Sequence, residues 1–250
     1  MDGRNQASTP RSAEMTPGPG FRIRFEIERP DPEVIAGLGE FETTDISDLL
    51  NRLYTVNSAI QNLTAPDVRL AGPVCTVKVF PGDNLMVHKC LDVAMAGDVI
   101  AVDAGSSASN AVLGDLISTK ARHRGIAGFV VDGLVRDLPA LCRLDGFPVF
   151  ARGHTPMGPL HRGPGEINHP VCIGGVAVLP GDVIVGDANG VVIVPALAAA
   201  EVLAALRSRS AASRAYAQAV AKGDFSNAWV DATLAAGALE LPDRPPRRDG

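Results

Sequence analysis

The chain has 250 residues, 46% of them apolar, and a formal charge of -5 from 23 Lys plus Arg against 28 Asp plus Glu. That length supports one large core or two modest ones and excludes a small disulfide-stapled scaffold. The acidic balance gives no general attraction to nucleic acid, and no stretch reaches the roughly 20 apolar residues of a membrane-spanning helix.

Residues 1–20 are rich in Pro, Gly, Ser and Thr and predict a disordered tail without an apolar signal core, so the cytoplasm is the expected compartment. FRIRFEI at 21–27 alternates and predicts an edge strand or an intersubunit arm. TTDISDLLNRL from Thr43 spaces Ile46, Leu49, Leu50 and Leu53 as a short helix capped by Thr44 or Asp45. PVCTVKVF (73–80) predicts a strand, DNLMVHKCLDVA (83–94) a helix, and DVIAVDA (98–104) a second strand.

GSSAS at 105–109 leads into NAVLGDLISTKARHRG, where Ala111, Leu116, Ile117 and Ala121 share one helical face and Gly125 ends it. Strand GFVVDG, a turn or short helix over Arg136 to Cys142, and strand FPVFARG (147–153) follow. This alternation predicts an α/β core. HTPMGPLHRGPGEINHP (154–170) is a Pro- and Gly-rich excursion. VCIGGVAVLPGDVIVGDANGVVIVP then predicts three short strands, with Asn189-Gly190 as a hairpin signal. From Ala196 an Ala-rich helix runs to about Ala221, a weaker one covers 226–238, and 241–250 is an exposed tail. The expected organisation is a single domain over 21–240 with extensions that embrace a neighbour.

Cys75, Cys90, Cys142 and Cys172 form no CxxC pair and read as reduced core residues. No GxSxG, phosphate loop or dinucleotide fingerprint is present, and no lysine is marked as a Schiff-base former. His154, His161 and His169 lie in the Pro/Gly segment, where loop hydrogen bonding or substrate contact is expected ahead of a metal triad. Asp103 and Asp132 follow β-branched runs and stand either at a ligand crevice or as turn caps, with Asp132-Gly133 expected to turn the chain.

Arg136 and Asp137 pair a two-pronged donor with a hard oxygen ligand, or else decorate a solvated turn. Asp115 depends on where its helix starts. A start at Gly114-Asp115 leaves the amides of residues 115–117 open to a carboxylate, whereas a start at Ser109 makes Asp115 a mid-helix polar residue.

Residues 71–195 resemble the RraA-like family, which includes class II 4-hydroxy-4-methyl-2-oxoglutarate and 4-carboxy-4-hydroxy-2-oxoadipate aldolases and regulators of ribonuclease E activity. The resemblance rests on Gly97-Asp98-Val99-Ile100 with Asp103, Gly114-Asp115-Leu116-Ile117, Gly125 through Asp137, and Pro148 through Gly153 with Thr155-Pro156. It continues in Gly174-Gly175, Pro180-Gly181-Asp182, Asp187, Gly190 and Pro195.

The resemblance implies a swivelling β/β/α fold in homotrimers or hexamers, with Mg²⁺ or Mn²⁺ at sites between subunits. Asp137 resembles the metal-holding aspartate, Arg136 the arginine on the pyruvyl oxygens, and Asp115 the carboxylate near the metal waters. Gly114, Leu116 and Ile117 resemble the segment whose amides hold the substrate carboxylate. The implied reaction is retro-aldol cleavage of a 4-hydroxy-2-oxo acid through a metal-stabilised enolate to release pyruvate, with a water oriented by Asp115 as base. Decarboxylation of oxaloacetate or a related 2-oxo acid, and noncatalytic regulation of a ribonuclease through a protein partner, are the alternatives. The acidic residue supplied by a neighbouring subunit is unassigned among Glu42, Glu166 and Glu240.

Overall fold

The computed structural model describes residues 18–65 and 67–237. The expected terminal tails lie outside these residues, except for 18–20. Two compact units divide the chain, residues 1–206 and 207–250.

The first unit begins with helices α1 (Pro32–Leu38) and α2 (Thr43–Leu49). The predicted strand at 21–27 reduces to an isolated bridge between Ile23 and Ile167. Helix α2 has no side-chain cap: Glu42 occupies that position, in place of the expected Thr44 or Asp45. Thr43 is instead drawn inward, its N–H and hydroxyl both donating to the buried Asp187 carboxylate at 2.8 and 2.7 Å.

The strands are β1 (Gln61–Asn62), β2 (Leu70–Val79), β3 (Val99–Asp103), β4 (Ala111–Leu113), β5 (Gly128–Val135) and β6 (Val149–His154), then β7 (Gly165–Ile167), β8 (Val171–Ile173), β9 (Val176–Val178), β10 (Val183–Asp187) and β11 (Gly190–Val194). Between them lie α3 (Leu85–Cys90), α4 (Asp115–His123) and α5 (Leu138–Leu141). One mixed sheet runs β1-β6-β5-β3-β2-β10-β11, with β4 also on β5 and β7 also on β2. Strands β2, β3, β5 and β6 are parallel, while β10 and β7 add to β2 antiparallel.

Burial on both faces explains the unbroken apolar runs at the centre of this sheet. In β3, Ile100 and Val102 face one core, and Val99 and Ala101 face another. In β5, Phe129 and Val131 join the first and Val130 the second. Removing an aromatic such as Phe129, fully buried here, costs on the order of 3–5 kcal/mol in such cores. A third core packs α1, α2 and Ala199, Val202, Leu203 and Leu206 on the far face of β10 and β11.

Further predictions in this unit are corrected. The expected three strands after residue 170 are four, because Gly174-Gly175 folds the first run into the separate β8-β9 hairpin. Ala111 belongs to β4 rather than to a helix face, and Leu116 is exposed. The cysteines divide: Cys75 and Cys90 are buried, whereas Cys142 and Cys172 are exposed.

Helix α6 spans Ala199–Ala221 and so crosses from the first unit into the second. The second unit also contains α7 (Ala228–Gly237). No helix among the described residues is long and apolar enough to cross a membrane.

Candidate active site

Strand β5 does not turn at Asp132-Gly133, as the sequence suggested, but runs on to Val135 with a register shift against β6 between Val131 and Leu134. The turn comes at Arg136-Asp137. The Arg136 N–H donates to the carbonyl of Leu113 at the end of β4 (3.0 Å), which fixes this corner beside the start of α4. Asp137 takes a left-handed conformation, φ 59° and ψ 35°, sparsely populated by residues other than glycine. Its carbonyl accepts from Ala140 and Leu141 N–H, starting α5.

That turn folds the two side chains together, with Arg136 Nε 3.2 Å from Asp137 Oδ2. Two glycines make the space. A Cβ on Gly114 would lie 2.4 Å from Asp137 Oδ2 and 2.9 Å from Arg136 Cγ, and one on Gly158 would lie 2.6 Å from Arg136 Nη1. Gly114 itself is extended, φ -152° and ψ -156°, so close approach rather than backbone freedom explains its residue type.

Helix α4 starts at Asp115, the first of the two starts the sequence allowed, which leaves its first amides without bonds along the helix. The Leu116 N–H donates to Asp115 Oδ1 (2.7 Å), while Ser118 N–H is the first to bond back along the helix, to Gly114. Leu116 is 69% exposed and Ile117 is buried.

These residues line a cleft of about 110 Å³. One part of the lining is Gly114 to Ile117 with Arg136 and Asp137; the other wall is Asn84, His88, Pro159 and His161. The volume is below the ~300–1,000 Å³ of pockets for drug-sized ligands and suits a small one. Nothing in the spacing of the sequence announced Asn84 or His88, because α3 and the 158–162 loop meet at this wall only in the fold. His161 Nδ1 lies 2.6 Å from Asn84 Oδ1, and its ring stands edge-on to that of His88 with centroids 5.6 Å apart. Burial, then His161 and Lys120, hold His88 below the ordinary histidine range.

Asp103 and Asp132 are structural fasteners for the β8-β9 hairpin. Asp103 accepts from Gly105 and Cys172 N–H. Asp132 accepts from Gly174 N–H, the Ser106 hydroxyl and Arg152 Nε. Burial alone would raise the Asp132 carboxyl, but these donors outweigh it and hold the group below the usual carboxylate range. Glu166 is engaged by Arg22 and the Gly20 N–H, and Glu42 by Arg69.

Among the described residues no cluster of three or more His, Cys, Asp or Glu is arranged to hold a metal. The cleft does offer Asp115 and Asp137, with the Asp137 side chain 41% exposed. Two accessible carboxylates suit a hard cation of the Mg²⁺ type, which usually takes one or two carboxylates and keeps water or substrate oxygens for the rest. They do not form a closed protein cage.

The sequence model of the family described as RraA-like: Aldolase/RraA matches residues 43–193. A Halalkalibacterium halodurans protein provisionally named a 4-hydroxy-4-methyl-2-oxoglutarate aldolase is 46% identical over 61% of this chain and 72% of its own. A Thermus thermophilus 4-hydroxy-4-methyl-2-oxoglutarate aldolase is 36% identical over 62% of this chain and 93% of its own. The crystal structure of Streptomyces coelicolor RraAS2, described as an unusual member of the RNase ES inhibitor RraA protein family, superposes with a TM-score of 0.68 at 29% identity, covering 76% of this chain and 99% of that one.

Proposed function

The chain belongs to the RraA-like family, and on that premise we propose that it is a divalent-metal-dependent carbon–carbon lyase, releasing pyruvate from a 4-hydroxy-2-oxo dicarboxylic or tricarboxylic acid by retro-aldol cleavage. The observation that carries this reading is the convergence of Arg136, Asp137, Asp115 and the start of α4 on one small cleft, with Gly114 and Gly158 kept free of side chains around the arginine. A solvated decorative Arg-Asp pair would not need that clearance.

Asp137, with Asp115 beside it, would hold Mg²⁺ or Mn²⁺, which when bound withdraws charge from the keto and carboxylate oxygens of a 2-oxo acid. Arg136 presents a planar fork to the same oxygens. Its attraction grows as the keto oxygen becomes an enolate, so it favours the transition state over the ground state. The dipole of α4 and its first-turn amides, apart from the Leu116 N–H that Asp115 Oδ1 already occupies, receive the substrate carboxylate. Asp115 orients water at the cleft.

Decarboxylation of oxaloacetate produces the same enolate and would use Arg136 and Asp137 in the same way. The likeness to RraAS2 supports regulation of a ribonuclease as a separate reading, which would leave the Arg136-Asp137 pair without a chemical task. Exposed Leu116, Met157 and Leu160 lie on or beside the cleft wall, and exposed apolar side chains of this kind favour a site completed by another subunit of a homotrimer or hexamer. Pyruvate release assayed with 4-hydroxy-4-methyl-2-oxoglutarate and with oxaloacetate, with Mg²⁺ or Mn²⁺ and after chelation, tests the reading. Activity indifferent to metal and to Asp137 would defeat it.

A further inference from the structure

The wall that α3 and the 158–162 loop contribute to the cleft is built with more care than a loop boundary needs. Asp83 and Asn84, each 2% exposed, stand at the start of α3. Asp83 accepts from Leu85 N–H (2.8 Å) and Arg162 N–H (2.6 Å), tying the helix to the 158–162 loop. Leu160 N–H donates to Gly82 (2.8 Å), and Asn84 N–H donates to Leu160 (3.0 Å). Asn110 Nδ2 holds the Gly158 carbonyl at 2.7 Å. His161 therefore rides on a segment pinned at both ends.

The orientation of Asn84 follows from its second bond. Its Nδ2 donates to the Val112 carbonyl at 2.9 Å, so its Oδ1 is the acceptor facing His161. The proton of that bond sits on His161 Nδ1. In the neutral ring Nε2 then carries a free lone pair, and among the described residues it has no hydrogen-bond partner.

We propose that His161 is a catalytic base for the aldol cleavage, accepting the substrate's C4 hydroxyl proton at Nε2, with Asn84 as the positioning residue that sets its tautomer. This role rests on the lyase reading above and deepens it. In this role a 2-oxo acid whose pyruvyl end lies on Arg136 places its C4 hydroxyl at His161, which lines the same cleft. As the hydroxyl proton moves to Nε2, the C4–O bond becomes a carbonyl and the C3–C4 bond breaks. Its electron pair enters the enolate held by Arg136. The enolate then takes one proton from water at C3, and the imidazolium gives one back to solvent, so the protons balance. The same wall explains substrate class: it serves an acid bearing a C4 hydroxyl and is idle when the group leaving C3 is carbon dioxide.

That difference supplies the test. In the full-length enzyme with Mg²⁺, cleavage of 4-hydroxy-4-methyl-2-oxoglutarate needs a hydroxyl base and decarboxylation of oxaloacetate does not. H161N keeps a donor near the Nδ1 position for Asn84 but removes Nε2, so the loop should hold its place. The expected result is a fall of about 100-fold in kcat for aldol cleavage, the lower end for a lost general base, with decarboxylation above the metal-only background within about 3-fold of wild type. H161Q, which offers an amide oxygen but no base, should behave the same way, and both variants should keep the wild-type Tm.

Equal losses in the two reactions, or no loss in either, would overturn the role of His161 while leaving the lyase reading standing. A wild-type enzyme that releases pyruvate from neither substrate would overturn that reading, and the base with it.

Discussion

Arg136 and Asp137 are neighbours in sequence whose side chains meet, Nε to Oδ2 at 3.2 Å, because Asp137 adopts a left-handed backbone and so folds back beside the preceding residue. Successive residues of an extended strand would project to opposite faces. The local strain at Asp137, of order 1–3 kcal/mol in such conformations, persists at the corner between β5 and α5.

The clearance around this pair should be testable with single methyl groups. Gly114→Ala forces its Cβ against both Asp137 Oδ2 and Arg136 Cγ, so both groups must move. Displacement by about 1 Å is enough to cost on the order of 100-fold in rate, and that loss is expected in kcat/KM with little change in Tm. Gly158→Ala meets only the far end of Arg136, at Nη1, and should cost less. Equal activity of wild type and Gly114→Ala would show that the close approach has no functional purpose.

Asp132 is a fastener, and its removal should read out in stability. Its partner Arg152 has a side chain 22% exposed against 4% for Asp132 itself. Asp132→Ala is expected to destabilise by about 3 kcal/mol, the scale for breaking a buried pair, measured by urea unfolding. Because the folded state lowers this carboxyl's pKa, its stabilisation is fully present above the unfolded value near ~3.9 and is lost as pH falls through the lower folded value. The gap between wild type and Asp132→Asn should therefore be constant near neutrality and narrow below about pH 4.

The thiols should sort by burial. Cys142 and Cys172 are exposed, while Cys75 and Cys90 lie in the core with their sulfurs 3.4 Å apart. Burial drives the Cys90 thiol well above its ordinary range. An aromatic disulfide reagent should titrate two thiols quickly in the native protein and all four after denaturation. Four fast thiols under native conditions would contradict the packing of β2 against α3.

Leu116 is exposed at the cleft and offers a handle on assembly. If the site is completed by a neighbouring subunit, Leu116→Glu should lower both the mass measured by light scattering and the kcat/KM. A monomeric wild type with full activity would argue against a shared site.

Much of the fold was legible because burial on two faces writes itself as continuous apolar runs: Val99 to Asp103 and Gly128 to Val131 were readable as strands for that reason. The failures have local causes. Asp132-Gly133 carries the chemistry of a turn, but the ladder to β3 and the bonds to Arg152 and Gly174 hold it in the strand. Ala111 fits a helical spacing, yet pairing with Leu134 makes it a strand residue. At the site, Gly114, Asp115, Leu116, Ile117, Arg136 and Asp137 were all named from sequence, and the fold brings them to one cleft. Asn84 and His88 were not, since their approach depends on the tertiary bonds from Asp83 and Asn84 to the 158–162 loop.

The central claim is that Asp137 and Arg136 form the reacting centre of a metal-dependent lyase. The most direct measurement is pyruvate release from 4-hydroxy-4-methyl-2-oxoglutarate by wild type and Asp137→Asn, each with Mg²⁺ and after chelation. Asparagine tolerates the left-handed backbone, so the variant should fold and assemble as wild type does. The account predicts pyruvate release by wild type that is abolished by chelation and reduced at least about 100-fold by the substitution, the scale of losing one electrostatic partner of the reacting oxygens. Equal, metal-indifferent release by both proteins, or none by wild type, would contradict it.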